Sequence, residues 1–152
     1  MFKFSMRAAI LASISLIAAI MAGVPAANAD NDLVMVSISD ALATQDAKEL
    51  DGSVKFYFGE SAHPAVLQTI GNYVTTERAN GFGRSATTAC ERALVSALLK
   101  FQHRAQQLGA NAVINIHSYY RKRDFSSETQ IQCYDGFLMS GLSLKGDFVK
   151  TP

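Results

Sequence analysis

The chain has 152 residues, 14 Lys and Arg against 13 Asp and Glu, 49% hydrophobic and 18% charged side chains, and no Trp. That length accommodates one domain, and so even a charge balance argues against nucleic acid or another polyanion as partner. A domain of this size buries about two thirds of its unfolded surface, so it folds without a metal or cofactor, and none is expected.

Residues 1–29 stand apart from the rest. Met1 to Arg7 is short and positive, Ala8 to Val24 is an unbroken apolar and small-residue run, and Ala27-Asn28-Ala29 places small side chains at the first and third positions before a cut. This is the pattern of a signal peptide cleaved after Ala29, leaving a single domain over residues 30–152. The alternative is an uncleaved anchor, but Ala8 to Val24 as a helix reaches about 25 Å against a hydrocarbon core of about 30 Å. No Cys lies near the cut to carry a lipid, and no second apolar run approaches spanning length. The mature chain is therefore expected in the periplasm or outside the cell, without stable membrane insertion.

Leu33 to Ser39 is β-branched and apolar and reads as a strand. Asp40 then reads as an N-cap for a short helix over Ala41 to Leu50, ended by Asp51-Gly52. Val54 to Phe58 is a short strand, Gly59 to Pro64 a loop, and Val66 to Arg78 a Thr-rich strand with Gly71 as a bulge. Ser85 to Leu108 is the one long helix. Cys90, Leu94, Leu98, Phe101, Ala105 and Leu108 recur by threes and fours, forming an apolar stripe that must lie against a sheet. Gly109 follows as its αL C-cap. Ala112 to Arg121 and Gln130 to Met139 read as a hairpin across the polar tip Lys122 to Thr129, and Gly141 to Val149 as a last strand. The predicted class is α+β, a mostly antiparallel sheet covered by one long helix, plus a short N-terminal helix.

Cys90 sits on the buried stripe and Cys133 within a strand of the sheet beneath. An exported chain with two cysteines usually joins them, and closing a loop of roughly forty residues contributes about 4 kcal/mol in chain-entropy terms. Two separate buried thiols remain the alternative, and no CxxC points to redox exchange.

The search for chemistry finds no catalytic set. Gly81-Phe82-Gly83-Arg84-Ser85 precedes a helix, yet the phosphate-loop pattern fails, because Arg78 stands where its first Gly belongs and Arg84 where its Lys belongs. No GxSxG elbow occurs. His63, His103 and His117 lack metal-ligand spacing. His117 shares a predicted strand face with Val113, Asn115 and Tyr119, making it the weak candidate for a small polar or metal site. Tyr119-Tyr120-Arg121-Lys122-Arg123 puts three cations after two aromatics at a loop tip. It reads either as a solvated loop or as a partner-binding one.

The stretch Cys90 to Ile116, with its junction Gln107-Leu108-Gly109-Ala110-Asn111-Ala112-Val113, resembles two bacterial groups. One is the YbjQ-like family, labelled heavy-metal-binding. The other is the Rcs envelope stress-sensor lipoprotein, whose helix and strand cysteines match Cys90 and Cys133 and whose last strand resembles Gly141-Leu142-Ser143-Leu144. The whole mature chain, with DALATQDAKELDGSVKFYFG and AHPAV, resembles small exported proteobacterial proteins often catalogued as "excinuclease ATPase subunit". The nucleotide loops that such a label requires are missing. Two features depart from the stress sensor: there is no lipid-bearing Cys and no second pair of cysteines.

The resulting expectation is a noncatalytic periplasmic protein that binds an unidentified envelope protein. The alternative is a small-ligand or heavy-metal-binding periplasmic protein, as the YbjQ-like resemblance implies.

Overall fold

The computed structural model describes residues 31–152, so the expected signal peptide and its cut after Ala29 lie outside the described residues. Six strands, β1 (Asp32–Ser37), β2 (Lys55–Phe58), β3 (Gln68–Asn80), β4 (Ala112–Ser118), β5 (Gln130–Asp135) and β6 (Met139–Lys150), form one mixed sheet. The helices are α1 (Ile38–Leu42) and α2 (Ala86–Leu108), with single 3-10 turns at Asp46–Glu49 and Tyr120–Lys122. The class is α+β.

β6 organises the sheet. One edge pairs antiparallel with the whole of β3, while the other meets β5 near its start and β4 further along, both antiparallel. β1 adds to β5 antiparallel, and β2 adds to β4 in parallel. The β3 ladder slips between Thr69 and Gly71, where a bulge was expected.

α2 lies across one face of this sheet. Its Ala89, Cys90, Ala93, Leu94, Ala97, Leu98, Phe101 and Ala105 are buried, and Leu108 is half-buried. Opposite them stand Val36, Ile131, Leu142, Leu144 and Phe148, also buried. The Phe101 and Phe148 rings meet edge to face with centroids 5.2 Å apart, and Tyr73 leans on Phe148 at 4.8 Å. Ser85 caps the helix by accepting a hydrogen bond from the Thr88 N–H, and Gly109 ends it at φ 72°, a conformation costly for a residue with a Cβ. Gln102 is buried on the stripe as well, because its Oε1 accepts from the Asp51 N–H and so closes the loop before β2 against the helix.

Three expectations need correction. The helix over Ala41 to Leu50 is replaced by the five-residue α1, capped by Ser37 rather than Asp40, and a separate 3-10 turn. Only Ile38 and Ala41 of α1 are buried, too little apolar contact to hold a longer helix that is marginal by itself. The strand from Ala112 stops at Ser118, well short of Arg121. The hairpin between it and Gln130 to Met139 does not form. β5 ends at Asp135, and β5 and β6 make the hairpin instead, turning at Gly136, whose N–H donates to the Met139 carbonyl. Asp135-Gly136 is itself a strong turn signal, and the pairing follows it.

Among the described residues no helix is long and apolar enough to cross a membrane.

Candidate functional site

β4 is irregular in its middle. Asn115 takes φ 53°, and the pairing with β6 shifts between Ile114 and His117. The extra residue reverses the alternation, so Val113 faces α2 while His117 lies on the opposite face, in register with Lys145. The face expected to join His117 to Val113 is therefore broken by the bulge.

His117 is 7% exposed, and both ring nitrogens are engaged. Nδ1 donates to the Asn115 carbonyl at 2.7 Å, and Nε2 lies 2.9 Å from Asp124 Oδ1. Neither nitrogen points into open space. The neighbouring Ser118 is buried, exchanges two backbone hydrogen bonds with Phe125, and accepts the Gln132 N–H on its hydroxyl at 2.8 Å. These side chains fasten the segment after β4 back onto β4 and β5.

The five residues read as a partner-binding loop follow directly. The Tyr119 N–H donates to the Ser143 carbonyl, and its ring lies 4.7 Å from Lys145 Nζ. Tyr120 stacks on Tyr134 of β5, with Arg121 5.3 Å from the Tyr120 ring centre. Arg121, Lys122 and Arg123 are exposed, with φ 51° at Arg121 and 62° at Lys122. The two tyrosines are thus half-buried anchors, and the three cations reach solvent.

Tyr120 and Tyr134 form one wall of a cleft of about 400 Å³ at the end of the sheet. Thr76 and Arg78 of β3 line another part, Phe137, Leu138 and Met139 rise from the β5–β6 turn, and Asn31 closes the rim where the chain enters β1. Arg78 is exposed and pairs with no carboxylate among the described residues. Asp135 accepts a hydrogen bond from the Ser140 hydroxyl, which fixes the base of the turn. Cys90 and Cys133 form a disulfide, S–S 2.01 Å and Cα–Cα 5.9 Å, tying the first turns of α2 to the residue before Tyr134.

Composition and spacing single out Tyr119 to Arg123 but not Arg78, Tyr134 or Phe137 to Met139, which the sheet brings to the same end. Asp135-Gly136 is the one local signal for the turn; the convergence itself depends on β6 pairing with both β3 and β5. His63 and His103 stay apart from this cleft, His63 in the loop before β3, where its ring packs edge-on to Tyr57, and His103 exposed on α2. Among the described residues no three His, Cys, Asp or Glu side chains gather as a metal site.

In comparisons with known proteins, no family model, curated protein or solved structure matches the chain.

Proposed function

We propose that this is a noncatalytic envelope protein, exported by residues 1–29 with cleavage after Ala29, that acts by binding another envelope protein at the cleft between Tyr120, Tyr134 and Arg78. The observation carrying this reading is the cleft: stacked aromatic walls supply apolar contact area at low entropic cost, and an unpaired guanidinium beside them supplies a directional partner for a carboxylate. The groups best suited to acid, base or nucleophilic work nearby, His117, Asp124 and Ser118, are engaged in holding the loop. The Cys90–Cys133 bond is of the kind that persists in an oxidising compartment, which supports the periplasmic or secreted address. Kinship with the small exported proteobacterial proteins, and with the Rcs stress sensor over the helix-to-strand half, is part of the same proposal.

Capture from periplasmic extract tests it. A specific protein retained by the wild type and lost with Tyr120→Ala and with Arg78→Ala is the expected result. A wild type that retains nothing specific under several stress conditions overturns the reading.

A second reading takes the same cleft as a small-ligand site, since its volume lies within the range of small-molecule pockets. Saturable calorimetric heat with a small apolar anion, abolished by Arg78→Ala, would favour it. The heavy-metal form predicts heat with Zn, Cu or Ni, and a flat titration with all three rejects it.

A further inference from the structure

The end of the molecule beyond the cleft carries an unusual surface. Phe137 is 95% exposed, Phe82 74%, Leu138 54% and Met139 43%. Two turns present them: the β5–β6 turn, and the Gly81 to Arg84 turn before α2. A hydrogen bond from the Gly81 N–H to the Leu138 carbonyl, at 2.9 Å, locks the turns side by side. Isolated apolar side chains on a surface are ordinary, but four on two joined turns form a patch. A ring exposed to 95% makes almost no contact with its own protein, so Phe137 stands out as the tip of the patch.

The charge around it has a sign. Arg84 belongs to the second turn, with one guanidinium nitrogen 3.2 Å from the Asn80 carbonyl, and Arg78 lies two residues before Asn80 on β3. Arg78, Arg84 and Arg92 line one depression beside this end, Arg92 being paired with Asp46. Two carboxylates are near. Asp135 is bonded by Ser140, and Asp32 stands opposite Asp135 in the β1–β5 register, so both lie behind the turn rather than at its apex. Apolar side chains at the apex with arginines behind them match the order of a bilayer surface, where acyl chains lie beneath anionic phosphates.

Asn31, just before β1, packs at the same turn, its Oδ1 2.8 Å from where a Cβ on Gly136 would stand.

We infer that the surface formed by Phe82, Phe137, Leu138 and Met139, with Arg78 and Arg84, docks reversibly on an anionic phospholipid bilayer. Phe137 and Leu138 enter the headgroup and upper acyl region, and the two arginines meet lipid phosphates. This goes beyond the proposed partner cleft, with which it shares Arg78 and Phe137 to Met139, because it requires a lipid surface and no protein partner.

The chain has no Trp, so Phe137→Trp makes a sole indole probe, and the exposure of the position leaves the fold undisturbed. Protein purified after export is mixed with phosphatidylglycerol vesicles and with phosphatidylcholine vesicles. The expected result is a blue shift of the emission and quenching by brominated acyl chains on the anionic vesicles, both reduced by high salt and weak on the neutral ones. His103→Trp, roughly 25 Å along α2 from its first turn, should report neither. In the otherwise native chain, Phe137→Ser with Leu138→Ser should lower partition onto anionic vesicles about tenfold. The inference is overturned if the Trp at position 137 reads the same with and without anionic vesicles. It is equally overturned if the probe at position 103 responds as strongly, or if the shift needs an added periplasmic protein and no lipid. Failure of the partner capture described above would leave these readouts unaffected.

Discussion

The Tyr120 ring lies on that of Tyr134 with centroids 3.8 Å apart and planes 20° from parallel. This contact, together with the hydrogen bonds of His117 and Ser118, holds the segment after β4 over β5, although the two strands do not pair. Stacked aromatic pairs contribute about 0.5 to 1.5 kcal/mol beyond area burial, enough to hold a loop but a small share of a domain's stability. Tyr134→Ala should therefore lower global stability by about 1 kcal/mol while markedly accelerating trypsin cleavage after Arg121, Lys122 and Arg123. Unchanged cleavage would show that the hydrogen bonds of His117 and Ser118 hold the loop alone.

Asp51 gives a pH-dependent element at the far end of α2. Hydrogen bonds from Ser53, by hydroxyl and by backbone N–H, and then from Gln106 Nε2, hold its carboxyl below the ordinary value of 3.8. A carboxyl lowered on folding contributes stability that is present above its unfolded value and is lost as the pH falls through its folded one. The group is exposed, so the contribution is small. Asp51→Asn should reduce Tm slightly at pH 7, and the gap between the two proteins should close as the pH falls below 3.8. A gap that persists into strong acid would assign the effect to side-chain shape rather than charge.

Sequence periodicity carries α2 and its caps because a long amphipathic helix advertises itself locally: the stripe from Cys90 to Ala105, Ser85 before it and Gly109 after it are all where spacing places them. The sheet is less legible. Whether Lys55–Phe58 runs parallel to β4, and whether β5 pairs with β4 or β6, is decided by contacts between distant segments that no local pattern encodes. The candidate site fails in sequence for the same reason. Tyr120 is conspicuous beside three cations, but Tyr134, Arg78 and Phe137 become its neighbours only through β6. One residue, Asn115 in the left-handed region, is enough to move His117 to the other face.

Gly146 of β6 lies against β4 and α2 where a side chain has no room. A Cβ there would stand 2.7 Å from Val113 Cγ1, 3.3 Å from Ile116 Cγ1 and 3.4 Å from the Phe101 ring. All three neighbours are buried, so none can move aside freely. Gly146→Ala should destabilise the domain by about 1 to 3 kcal/mol, read from urea denaturation. Combining it with Val113→Ala should cost less than the sum of the two single changes, since the nearest obstruction is removed. Strict additivity would mean that the backbone of β6 absorbs the methyl instead.

The disulfide bears on both stability and the cleft. Cys90 and Cys133 are 43 residues apart, and closing a loop of that length is worth about 4 kcal/mol in chain-entropy terms. Replacing both with Ser should lower the unfolding free energy by about that amount, and reducing the wild type should give the same urea midpoint as the double variant. Because Cys133 is followed directly by Tyr134, loss of the bond should also loosen β5 beneath the tyrosine stack. The double variant should then be cut by trypsin at Arg121 to Arg123 faster than the wild type at equal denaturant distance from its own midpoint. That comparison separates local release of the cleft wall from global unfolding. A double variant whose cleavage merely tracks its lower stability would limit the disulfide to a stabilising role and leave the cleft geometry to Tyr120 and Tyr134 themselves.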